Sequence, residues 1–183
     1  LDDAGRLALR RLASAAVLCS DASFDPAFGR AAASGDSVDI AFLVLAAQAG
    51  LAIPELRAQA PRLAELPFEA GRRLAASLNH HDDAYRLHVK GAPEAILPRC
   101  QGNAIADALP VVEAMAASGY RVLAVAERSL ASLPEDDRAL EHILAPLTLL
   151  GFVGFIDPLR PEARQAVSAC RGAGVMVKMI TGD

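Results

Sequence analysis

Two stretches of apolar alternation separated by a polar run set the first constraint on this chain. At residues 74–78, Leu74, Ala76 and Leu78 share one face, and at 85–89, Tyr85, Leu87 and Val89 do the same. Successive strand side chains point to opposite sides, so this period predicts two antiparallel strands. His80-His81-Asp82-Asp83 lies between them, where a hairpin turn belongs. It is read as a solvated turn and not as a metal site, because adjacent strand residues diverge. By the same alternation Arg86, His88 and Lys90 share the other face and are expected to point away from the core.

Helical periods flank this unit. Residues 3–19 carry Leu7, Leu9, Leu12 and Ala16 at helical spacing. Residues 37–50 predict a more buried helix with Ser37 as N-cap and Gly50 as terminator. Pro93 suits a first helical position and Glu94 complements the helix dipole, so a helix is expected over 93–99. Another over 107–117 stops at Gly119, and strands follow over 120–126 and 147–156. Residues 20–36 mix Ser, Asp, Pro and Gly and form the expected mobile surface loop. The last section has a different logic. An apolar strand ending at Asp157 is followed by a helix over 161–171, with Ala163, Ala166, Val167 and Cys170 as its buried stripe, and by an apolar strand over 175–180. Strand, helix, strand implies a parallel pair, unlike the antiparallel part before it, so a boundary is expected near residue 150.

The 183 residues, 53% of them hydrophobic, suffice for one packed domain or for one domain with part of another. A net charge of -4 offers no basic stripe for displacing counterions, so nucleic acid is excluded as the main partner. The longest uncharged run, 144–156, is well short of the ~20 residues that a membrane helix needs. Leu1-Asp2-Asp3 has neither the basic start nor the apolar core of a signal peptide, and a cytoplasmic location is expected. Cys19, Cys100 and Cys170 are widely spaced, without a Cys-x-x-Cys motif, and read as buried free thiols.

Four clusters carry chemistry. In Lys90-Gly91-Ala92-Pro93-Glu94, an ammonium sits beside backbone that no bulky side chain shields, which suits a phosphate or a base; taken alone, a solvated lysine before a turn is the simpler reading. In Glu65-Leu66-Pro67-Phe68 with Arg72-Arg73, Phe68 is either a flat face for an adenine ring or a core residue. Arg121 interrupts the apolar strand after Gly119-Tyr120 and should reach an anion or a carboxylate, because burying it unpaired is costly. Asp157-Pro158-Leu159-Arg160 and Thr181-Gly182-Asp183 fall at the carboxyl ends of the predicted parallel strands, where open α/β sheets bind ligands. Hydroxyl and backbone N–H groups there suit phosphate oxygens, and aspartates suit magnesium or a hydrogen-bonded network.

Taken together, Lys90-Gly91-Ala92-Pro93-Glu94, the segment 119–128, and 151–183 with its Asp-Pro-x-Arg and Met-Ile-Thr-Gly-Asp signatures resemble the cytoplasmic region of P-type cation-transporting ATPases, in the family's order. The likeness is weak before residue 60 and strong after 145. It implies an α/β (α+β) fold: an antiparallel sheet flanked by helices, the nucleotide-binding N domain, over 1–150, followed over 151–183 by a βαβ piece of a haloacid-dehalogenase-like phosphorylation (P) domain. By position, Phe68 would stack on adenine, Arg73 would stand beside the nucleotide, Lys90 and Gly91 would line the pocket, and Arg121 would approach the phosphates. Gly35-Asp36-Ser37-Val38-Asp39 occupies the place of the family's Gly-Asp-Pro-Thr-Glu, departing at three of five positions, with Asp39 at the glutamate. Asp157, Thr181, Gly182 and Asp183 would form part of the phosphate-site wall. The family's Asp-Lys-Thr-Gly-Thr and Gly-Asp-Gly-x-Asn-Asp segments would lie before Leu1 and after Asp183. The resemblance therefore implies a cytoplasmic piece of an integral membrane pump that binds ATP with Mg2+, is inactive alone, and works with the rest of the P domain, the actuator domain and the transmembrane domain. A haloacid-dehalogenase-like phosphatase and a non-catalytic nucleotide-sensing module are the alternatives.

Overall fold

The two alternating segments pair as expected. In the computed structural model, which describes residues 1–23, 33–81, 84–102, 104–133, 139–156, 161–178 and 180, β1 (Arg62–Glu69), β2 (Leu74–His81), β3 (Ala84–Gly91), β4 (Arg121–Leu130) and β5 (Thr148–Phe155) form one antiparallel sheet in sequence order. The β2–β3 register sets Ala76 against Val89 and Leu78 against Leu87. It also continues to His80 opposite Tyr85 and His81 opposite Ala84, so the two histidines belong to the strand and not to a turn. The His80 and Tyr85 rings, 5.1 Å apart, form a cross-strand pair of the kind that stabilises a ladder. Asp82 and Asp83 lie outside the described residues.

The sheet is covered on both faces. On one, Leu74, Leu78, Leu87 and Val89 pack with Ile96 of α4 (Pro93–Ile96), Leu140 of α6 (Ala139–His142), Leu144 and Leu147. On the other, Leu12, Ala15 and Ala16 of α1 (Asp3–Leu18) and Phe42 of α2 (Ser37–Gln48) pack on Val125. A second cluster, Ala13, Val17, Leu43, Ala46 and Ile53, joins α1 and α2 to α3 (Ile53–Gln59). This second cover overturns the expectation that Arg86, His88 and Lys90 point away from the core: His88 and Lys90 are buried beneath it. Asp2 caps α1 by accepting from Gly5 N (2.8 Å), and Asp36, not Ser37, caps α2 by accepting from Val38 N (2.8 Å). Leu7 is exposed, so the buried stripe of α1 begins only at Leu12. Of residues 20–36, 24–32 lie outside the described residues, and Ser23 and Ser34 form an antiparallel bridge.

Past β5 the expectation and the structure part. β5 pairs with β4 from Thr148 to Phe155, carrying the antiparallel sheet across position 150. The helix α7 (Pro161–Gly172) forms, yet of its predicted stripe Ala163 and Ala166 are exposed and Val167 and Cys170 only half-buried. The expected strand over 175–180 is absent among the described residues. Val175 N donates instead to Cys170 O (2.8 Å), closing the helix, and Val175 and Met176 remain exposed. A strand is held by its ladder to a neighbour, and none is at hand among the described residues. The dehalogenase-like unit is therefore not seen among the described residues, outside which Asp157, Thr181, Gly182 and Asp183 lie. Among the described residues, no single helix is long and apolar enough to cross a membrane.

Candidate functional site

The edge strand β1, the start of β2, the end of β3, the start of β4, and the segments following α1 and preceding α2 line a cleft of about 530 Å3. Lys90 and Asp39 form its charged floor. Lys90 Nζ is ion-paired with the Asp39 carboxylate, donates to Ser20 Oγ (2.7 Å), and lies 5.6 Å from the centroid of the Phe42 ring. Asp39 sits in the first turn of α2, where negative charge is favoured, and its other oxygen accepts from Asp21 N (3.1 Å). Lys90 is therefore buried and compensated by a half-buried carboxylate, the condition under which charge is tolerated away from water.

Small residues let the backbone pack closely around this floor. Ala75 is the cross-strand neighbour of Lys90, and Leu74 is that of Gly91. A Cβ at Gly91 would stand 2.7 Å from Leu74 Cα and collide with the Arg73 carbonyl. Gly35, at φ 119°, lets the backbone before α2 approach Ala22 closely, where a Cβ would meet Ala22 Cα at 2.7 Å.

The mouth has different chemistry. Phe68 is 64% exposed on the edge strand β1, beside Pro67, a residue confined in sheets to such edges. This rejects the core alternative for Phe68. Arg121 opens β4, is exposed, lines the cleft and has no ion-pair partner among the described residues. The expectation of a buried arginine is thus corrected, because the strand start lies at the solvent margin. Arg73 does not line the cleft: at φ 53° in the β1–β2 turn, its guanidinium pairs with Glu94 (2.8 Å). Arg72 is tied to Glu69 (3.0 Å) and Glu141 (2.7 Å).

Cys19, Ser20, Asp21 and Arg62 were not legible as site residues. Arg62 pairs with Asp21 and Glu65 and donates to Leu18 O (3.0 Å) and Ser20 O (3.1 Å), clamping β1 to the end of α1. Cys19 lines the cleft as a neutral thiol: burial pushes its pKa up to about 11, against weaker opposing pulls from Lys90 and Arg62. Cys100 and Cys170 are only partly buried. Under α1, burial lowers the pKa of His88 to about 4, outweighing Glu127, whose Oε2 is 4.0 Å from His88 Nδ1. Glu127 is itself held by Arg11 of α1. Among the described residues, no group of three or more His, Cys, Asp and Glu is arranged to hold a metal ion.

The arrangement offers a compensated donor–acceptor pair at the floor, an apolar ring at the lip and an unpaired cation at the mouth. Comparison with known proteins matches residues 8–162 to the family described as P-type ATPase, cytoplasmic domain N. The cation-transporting ATPase pma1 of Synechocystis sp. is 39% identical over 179 residues, which cover 91% of this chain and 19% of that protein. The calcium-transporting ATPase 1 of Bacillus cereus is 30% identical over 191 residues, covering 100% of this chain and 21% of that protein. The probable cation-transporting ATPase F of Mycobacterium tuberculosis is 36% identical over 159 residues, covering 81% of this chain and 18% of that protein. The chain spans about a fifth of the length of these relatives. With an antiparallel sheet flanked by helices and this extent of match, the chain belongs to the P-type cation-transporting ATPases, over their cytoplasmic N domain.

Proposed function

We propose that this chain binds ATP in the cleft and presents its terminal phosphate to a phosphorylatable aspartate elsewhere in a cation-translocating pump. The observation that carries the reading is the separation of charge along the cleft. Lys90 is already neutralised by Asp39, so the floor is polar without net charge and suits a base, whereas Arg121 at the mouth is free for phosphate. Phe68 supplies an exposed ring on which adenine stacks, and Gly91 lines the same cleft. The volume lies within the roughly 300–1,000 Å3 of small-molecule sites. Arg73 acts from outside the cleft and joins only on leaving Glu94. Mg2+ would be held by the phosphates of the nucleotide, where it would neutralise their charge. Asp157, Thr181, Gly182 and Asp183 belong to the phosphate-site wall in the same proposal. So does the division into a nucleotide-binding unit over 1–150 and a P-domain segment over 151–183, with β5 carrying the sheet on to Phe155.

With one unpaired cation in the cleft among the described residues, the affinity is moderate, in the high-micromolar to millimolar range, or roughly -4 to -5 kcal/mol. Titration calorimetry on the parent and on Phe68→Ala tests the assignment. Because Phe68 is exposed, the variant should melt with the parent while losing about 1–3 kcal/mol of ATP binding, the worth of one stacked base. A variant that binds ATP as well as the parent would remove Phe68 from the site.

A further inference from the structure

We infer that Ser20 is a positioning residue for the cleft, fixing the direction in which the Lys90 ammonium meets a ligand; the inference rests on the nucleotide reading above. Ser20 follows the end of α1 and is 1% exposed. A hydroxyl has one proton and two lone pairs, and Ser20 Oγ gives that proton to Ala16 O at 2.7 Å. It is left an acceptor only, and the donor it accepts from is Lys90 Nζ, also at 2.7 Å. The ammonium has three protons. One is directed to Ser20 and one to Asp39, so a single N–H remains for an incoming acceptor, along a direction set by two fixed partners.

The neighbouring backbone holds this fixture in place. Ser20 O accepts from Arg57 Nη2 (2.9 Å) and Arg62 Nη2 (3.1 Å), and Asp21 N donates to Asp39 Oδ2 (3.1 Å). The dipeptide Ser20-Asp21 therefore grips both members of the floor pair, one through a side chain and the other through a backbone amide. Lysine is otherwise a flexible donor on a four-carbon stem, and pre-setting its geometry reduces the ordering cost of binding.

The test is an ATP titration with parallel thermal melts of the intact chain carrying Ser20→Ala, Lys90→Met, or both. Ser20→Ala should weaken ATP binding about tenfold, the scale of one hydrogen bond to a charged group, and Lys90→Met should weaken it further. In the Lys90→Met background, Ser20→Ala should cost nothing more, because the group it positions is gone. A structural role would give the same loss in both backgrounds and would overturn the inference, as would a folded Ser20→Ala variant that binds like the parent. Should Ser20→Ala fail to fold, Ser20→Cys, which keeps the volume with a weaker acceptor, is expected to bind less tightly than the parent, and parent-like binding there would overturn the inference. A parent chain that binds no ATP would sink the nucleotide reading itself, whereas a binding parent with an unaffected Ser20→Ala would sink only the role of Ser20.

Discussion

His88 is the side chain whose protonation the fold resists most clearly. Burial holds its pKa near 4, below the ordinary 6.5, so the folded chain prefers the neutral ring while the unfolded chain protonates first on acidification. Stability from this residue is complete above pH 6.5 and is lost as pH falls from 6.5 towards 4, by about 3 kcal/mol in all. Thermal melts at pH 7 and pH 5 should show a larger drop for the parent than for His88→Leu, and equal drops would assign the acid sensitivity to other groups. Asp39→Ala should act through the opposite logic. It leaves Lys90 buried with only Ser20 as partner, and the expected cost is about 3 kcal/mol, read from denaturant unfolding. An Asp39→Ala variant as stable as the parent would mean that Lys90 escapes to solvent through the cleft.

At the scale of elements, the β2–β3 hairpin and its approach to the β1–β2 turn set the shape of the cleft. Gly91→Ala would press a methyl group against the Arg73 carbonyl and Leu74 Cα, which are backbone and cannot rotate away. The expected loss is about 1–3 kcal/mol of stability, checked by denaturant unfolding, with Gly71→Ala, where nothing lies within 4 Å, as the neutral comparison. The period-2 strands and α1 were legible because one-dimensional spacing reports which face is buried, while α2 and α5 (Ala104–Ala117) were legible from the glycines that stop them. Two things were not. The seven-residue α3 and the bulged edge strand β1 are short or irregular, with register shifts at Arg62/Ala64 and Leu66/Glu69 that break any period. The burial of Lys90 and His88 follows from helices packed on the second sheet face, a tertiary fact that alternation along one strand cannot carry. The pairings of Lys90 with Asp39 and Ser20 span 51 and 70 residues, and neither Ser20 nor Arg62 carries a local motif. The reverse error occurs over 175–180, where an apolar run reads as a strand but has no neighbouring ladder among the described residues to complete it.

For the whole molecule, the sheet and its two helical layers bring together segments that are far apart in the chain: the end of α1, the start of α2, the β1 edge, the end of β3 and the start of β4. The family match covers this same body, and the relatives it aligns with are about five times as long. The central claim is that the body's task is to hold ATP by a neutral floor and a cationic mouth. Amide and side-chain NMR of the chain during an ATP titration to millimolar concentration tests it most directly. The account predicts saturable shifts at Asp39, Phe68, Lys90, Gly91 and Arg121, with His88 and the α7 residues unmoved. A titration that leaves the cleft residues still, or that moves a patch elsewhere on the sheet while they stay fixed, would contradict it.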